Sequence, residues 1–97
     1  MPDTLNRIAD GTCPVILSDV FTALVKTSVL AIDISNPTVG IETIEVRIQN
    51  IVLFAVAMPA MGGVSWHGPQ VLEAGEVIKM VSSSASCGYN ISGVEIT

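Results

Sequence analysis

Residues 43–49 read TIEVRIQ. On an extended chain successive side chains alternate between faces, so Ile44, Val46 and Ile48 fall on one side while Thr43, Glu45, Arg47 and Gln49 fall on the other. A helix would scatter those three β-branched residues around its axis. The stretch is a half-buried strand, and the period it sets can be followed through most of the chain.

Upstream, SVLAIDISNP (28–37) places Leu30, Ile32 and Ile34 on one face and Ala31, Asp33 and Ser35 on the other. Asn36 before Pro37 is biased away from the helical region, and Gly40 can supply a positive φ, so the two strands are expected to form an antiparallel hairpin with a longer loop. Downstream, IVLFAVAM (51–58) is apolar on both faces, which suits a central strand or one covered by another subunit. Pro59 and the pair Gly62 and Gly63 end it. VSWHG (64–68) follows as a short strand closed by Gly68 and Pro69. LEAG (72–75) makes a tight turn at Gly75, EVIKMVS (76–82) is a strand, and SSSASCG (82–88) is a loop into YNISGVEIT (89–97). In that last strand Tyr89 and Ile91 share a face while Val94 and Ile96 are out of phase, so a β-bulge at Ser92 and Gly93 is expected to restore them to the core side.

The first third is less regular. Asp3 or Thr4 can cap a turn or two of helix carrying Leu5, Ile8 and Ala9 on one side, with Gly11 as its stop. Such a helix is too short to stand alone and is expected to be a docked arm. Pro14–Leu17 and Val20–Leu24 read as first strands around a break at Ser18 and Asp19. The expected fold is all-β: a single antiparallel β-sandwich, jelly-roll-like, of six to eight strands (residues 12–97), preceded by a short N-terminal arm (residues 1–11).

Composition restricts what such a domain can do. Ninety-seven residues build one core. Only 13% of them are charged although 49% are apolar, and an ordinary soluble domain carries about twice that charge. Two outcomes stay open: a monomer surfaced with Ser, Thr, Asn and Gly, or a surface covered by copies of the chain or by a partner. The net charge is −5 and the four basic residues, Arg7, Lys26, Arg47 and Lys79, are dispersed, so no basic stripe for nucleic acid exists. The apolar run from Ile51 to Met61 is interrupted by Pro59 and is too short to span a bilayer. MPDTLNRIAD has no apolar core of a secretory signal, and the expectation is a protein made in the cytoplasm. Cys13 and Cys87 are then expected to be reduced thiols that pack as small apolar groups.

No constellation for chemistry emerges. His67 stands beside Trp66 with no nucleophile or orienting carboxylate signalled near it, and reads as a structural or interface histidine. Glu42 with Glu45, and Glu73 with Glu76, are three apart but read as solvated charges on strands and at a turn. Ser82–Ser84 lack a nucleophile elbow, and MGG (61–63) and SCG (86–88) lack the glycine pattern of a phosphate loop. Two cysteines and one histidine in no ligand spacing make no zinc site, so no metal or cofactor is expected. Phe54, Met58, Met61 and Trp66 form an apolar group that suits either core packing or a subunit contact.

The order of features from Val20 to Thr97 resembles a type of small β-sandwich virion protein of tailed bacteriophages, which includes head decoration (cement) and tail-associated proteins. The likeness rests on VFTALVKTSVLAIDISNPT (20–38), IETIEVRI (41–48), VLEAGEVIKMVSSSA (71–85) and ISGVEI (91–96), with LNRIADGT (5–12) similar to the lead-in of such proteins. It departs at Ala23–Val25, where the family carries Pro-Ala-Gly, and in having two cysteines. The resemblance implies a non-enzymatic structural role: a homo-oligomer, a trimer, bound to the major capsid protein on the outside of the head, or a tail or head-to-tail accessory protein. The expected contact residues are Leu5, Arg7 and Ile8 of the arm and Met58, Met61, Trp66 and His67. A small carbohydrate-binding sandwich is the alternative of another class, with Trp66 and Tyr89 as its stacking platforms.

Overall fold

Ile44 and Val46 are fully buried on a strand that covers Glu42–Ile48, and Ile48 packs half-buried beside them. The structure, a computed structural model, describes residues 6–96. Eight strands and no helix occur among the described residues: β1 (Asn6–Thr12), β2 (Ser18–Thr22), β3 (Thr27–Ser35), β4 (Glu42–Ile48), β5 (Ile51–Met58), β6 (Gly63–Leu72), β7 (Val77–Ser82) and β8 (Gly88–Glu95).

These strands pair antiparallel into two four-stranded sheets, in the spatial orders β1-β8-β3-β6 and β2-β7-β4-β5. That order is the double Greek key of a jelly roll, so the expected sandwich is the fold. Val29, Ile32, Ile34, Leu72 and Ile91 from one sheet meet Ile44, Val46, Met58, Ile78 and Met80 from the other, and Cys13, Ala23 and Cys87 close the core at the strand ends.

Several local expectations need correcting. β3 and β4 are not a hairpin. Their apolar faces oppose one another across the core from different sheets, and the only adjacent strands in sequence that pair are β4 and β5. Gly40 is not among the glycines with positive φ, which are Gly11 and Gly75; the β3–β4 connection is held by the buried side chain of Asn36 instead. Residues 6–11 are strand β1 rather than an arm with helix, because β8 offers a full ladder where a short helix would have only its own few hydrogen bonds. The expected boundary after residue 11 therefore falls inside a strand, and Asp3, Thr4 and Leu5 lie outside the described residues. Pro14–Leu17 is not a strand: it carries the chain from one sheet to the other, and the supposed break at Ser18 and Asp19 is the start of β2. Gly68 and Pro69 do not end β6. On an edge strand the N–H that proline lacks has no partner to lose, and pairing with β3 resumes at Gln70.

The phase changes are solved by bulges, though not where expected. β8 runs without an extra residue; its neighbours bulge instead, β1 at Ile8 and β3 at Leu30. On β3 the inward set is consequently Thr27 and Val29, then Ile32 and Ile34, with Leu30 half-buried. Gly93 is the reason β8 stays flush: a Cβ there would stand 2.5 Å from the Ser28 carbonyl oxygen, so β3 can approach only a glycine. Val94 remains half-buried and Ile96 exposed.

The apolar strand β5 is an edge strand, not a central one, and Ile51, Val52, Ala55 and Ala57 are exposed along it. All four edge strands carry a register shift: β1 at Ile8, β2 at Val20, β5 at Leu53 and β6 at Gly68–Pro69. A bulge breaks the run of free N–H and C=O groups and twists the edge, which blocks strand-to-strand addition by another chain.

Candidate interaction surface

Four connections gather at one end of the sandwich: residues 13–17, 36–41, 59–62 and 83–87. Asn36 fastens two of them. It is fully buried, its Nδ2 donates to the carbonyls of Gly40 (2.9 Å), Pro59 (3.0 Å) and Met58 (3.3 Å), and its Oδ1 accepts from the Thr38 N–H (3.0 Å) and hydroxyl (2.7 Å). Backbone bonds from Asn36 to Gly62 and from Met61 to Thr38 complete the clasp. The other two connections join through Cys13 N–H to Cys87 C=O (2.8 Å) and Ser82 N–H to Pro14 C=O (2.8 Å). Ser83 then bridges to β4, accepting from the Thr43 N–H and donating to Glu42 Oε1 (2.7 Å).

What this rigid end presents is apolar. Ile16 (76% exposed), Val39 (94%), Ile41 (71%) and Met61 (72%) stand in water, with Val15 and Leu17 beside them. None of the chain's four basic or nine acidic residues lies in those four connections. Instead Thr38, Ser83, Ser84 and Ser86 supply neutral hydroxyls around the apolar tips. The opposite end carries Lys26, Glu73, Glu76 and Glu95, with Lys26 3.9 Å from Glu73. One carboxylate, that of Glu42, also reaches this end, where it accepts from the Thr38 hydroxyl (3.2 Å) as well as from Ser83; an apolar group rimmed by polar atoms is the anatomy of a protein contact.

The residues expected to make contacts do not converge here. Leu5 is outside the described residues. Arg7 is exposed on β1 and pairs with Asp10 at 3.2 Å, while Ile8 turns inward against the core. Met58 is buried and unavailable to any partner. Met61 is the one that reaches this apolar end, at a turn where its φ is +55°. Trp66 is half-buried against the core and His67 is exposed beside it on β6, across the whole sheet from Arg7. The signal that finds the surface is the absence of charge between strands, and it becomes readable only when the strand boundaries are known.

Among the described residues no three His, Cys, Asp or Glu side chains come together to hold a metal ion. Glu45 pairs with Arg47, and Glu76 accepts from the Glu73 N–H at 2.7 Å, closing the turn at Gly75. Cys13 and Cys87 are both buried and unbonded to each other. Burial, and after it the neighbouring Cys87, push the Cys13 thiol up to about 12, which leaves almost no thiolate to react at neutral pH. Tyr89 is raised as well, first by burial and then by the Asp10 carboxylate and Cys13. Tyr89 and Trp66, the two platforms a glycan would need, both spend their rings on the core. Set against family models, curated proteins and solved structures, the chain matched none of them.

Proposed function

We propose that this is a non-enzymatic structural protein of a tailed-bacteriophage virion, of the head-decoration type, which works by occupying the particle in many copies. The observation that carries the reading is the apolar, hydrogen-bonded end of the sandwich, a surface that an assembly would cover and that offers nothing to turn over a substrate. The resemblance of residues 20–97 to small virion β-sandwiches and the jelly-roll order, recurrent in capsid domains, support the same reading. A domain this small gains little from one patch, but joined copies engage several shell subunits together, which raises avidity by ~10²–10⁴. The bound copies stabilise the assembled shell by mass action.

The test is co-sedimentation of the purified protein with isolated heads and, separately, isolated tails of a tailed phage. Saturable binding to heads with a delayed thermal rupture of the shell is expected. Binding to tails alone assigns the accessory role, and binding to neither overturns the proposal.

A further inference from the structure

We infer that Cys13 and Cys87 are a latent cross-strand staple: two thiols placed to form a disulfide that locks β1 to β8, and that closes only when an oxidant reaches them while β1 is open. The inference is independent of which particle the protein attaches to.

Register sets the pairing. The β1–β8 ladder ends at Thr12 opposite Gly88, and one more rung follows, from the Cys13 N–H to the Cys87 carbonyl at 2.8 Å. The two cysteines therefore stand directly opposite one another, where antiparallel partners have Cα atoms about 4.5–5.5 Å apart. A disulfide spans about 4.4–6.8 Å between the same atoms. Phase sets the direction. Cys87 shares the inward phase of Tyr89 and Ile91, and Cys13 that of Ala9, so both side chains turn into the core, where both are fully buried. The contact given up on closing is the weak donation from the Cys87 thiol toward Asn36 Oδ1, 3.9 Å away, and that oxygen keeps its two bonds from Thr38.

Access keeps the thiols reduced. The fold seals both sulfurs from solvent, and burial, with Cys87 adding to it, pushes the Cys13 thiol up to about 12, so the closed molecule offers an oxidant almost no thiolate. β1 is the weak point of the seal. It is an edge strand that pairs with β8 alone, and its register shifts at Ile8; such elements open locally at less than the cost of global unfolding.

The exchange runs in two steps. With β1 open, the Cys13 thiolate attacks a small disulfide such as oxidised glutathione, forming a mixed disulfide and expelling one glutathione thiolate. As β1 regains its ladder, the Cys87 thiolate attacks the Cys13 sulfur, forms the protein disulfide and expels the second glutathione. Two electrons pass to glutathione, and the two protons lost by the cysteines end on its thiols. The bond closes a loop of about 75 residues, long enough to constrain the unfolded chain strongly, and a rise in Tm on the order of 10–30 °C is expected.

The test exposes the full, reduced chain to oxidised glutathione at mildly alkaline pH, in plain buffer and at its urea midpoint. Products are read by thiol count, intact mass and non-reducing electrophoresis. Thiols should persist in buffer roughly a hundredfold longer than at the midpoint. The midpoint should yield a monomer lighter by two hydrogens that, returned to buffer, melts higher by the margin above and falls back with dithiothreitol. Cys13→Ala and Cys87→Ala should form no such species and gain no stability from the same treatment. A stable glutathione adduct, cross-linked dimers in place of the lighter monomer, or an oxidised monomer that melts no higher than the reduced one overturns the inference. So do thiols lost as fast in buffer as at the midpoint, and thiols that survive both. These readings are made on the unsubstituted chain, so the inference can fail whether or not either variant folds.

Discussion

Replacing Asn36 tests whether the apolar end is held by one buried amide. In Asn36→Ala the carbonyl of Met58 loses a fully buried donor, and Gly40, Pro59 and Thr38 lose partners at part-buried positions. A stranded buried group costs about 1–3 kcal/mol and each part-buried bond about 0.5–1.5; the low ends of these ranges already reach about 2.5 kcal/mol, and since part-buried groups recover water a total of about 3–4 kcal/mol is expected. That is a large share of the roughly 5–15 kcal/mol that holds such a domain together, and it corresponds to a fall in Tm of about 12–30 °C. Asn36→Asp keeps the shape and the bonds from Thr38 but turns an acceptor toward three carbonyls, so near neutrality it should be worse than alanine. The new carboxyl would ionise less readily folded than unfolded. Its folded form is thus intact below about pH 4 and loses stability as pH rises from there. Urea unfolding followed by the fluorescence of Trp66, the single tryptophan, measures both variants. A cost below about 1 kcal/mol for alanine, or an aspartate variant more stable than alanine at pH 7, refutes the reasoning.

Three further outcomes follow from the packing. Because the Cys13 thiol is pushed up to about 12 from an ordinary 9.0, the unfolded chain releases that proton first; stability is whole below pH 9 and falls above it, by at most about 1.4 kcal/mol per pH unit, and Cys13→Ala should flatten the fall between pH 9 and 10. Gly93→Ala forces a methyl against the Ser28 carbonyl, and a loss of about 1–3 kcal/mol in denaturant unfolding is expected. Removing residues 1–11 takes away nearly all of β1, so cooperative unfolding should disappear; a truncated chain that still melts in a single transition would return these residues to the role of an arm.

The alternation in TIEVRIQ was enough for the fold class, since Ile44 and Val46 could be buried together only on a strand. Which strand lies beside which was not legible, because the alternation says what faces inward and nothing about which sheet completes the ladder. That is why Asn36-Pro37 read as a hairpin return when it is a crossing between sheets. The mismatch at Ser92–Gly93 was visible, but a single strand cannot reveal that its neighbours take up the extra residue. β5 read as central or as covered by another subunit because a fully apolar strand has no outward phase, and only the sheet order places it at an edge. Met58 and Met61, three apart in sequence, were treated alike, and a single turn sends one to the core and the other to the exposed tip.

The central position of β8 governs how the molecule comes into being. It lies between β1 and β3 and joins the two ends of the described chain. During synthesis the β4–β5 ribbon can close first, and β6 and β7 can then add to β3, β2 and β4, but β1 has no ladder until β8, some eighty residues later, leaves the ribosome. Completion of the β1-β8-β3-β6 sheet is therefore a late event, slow as non-local pairings are, with its greasy face meanwhile open to chaperones.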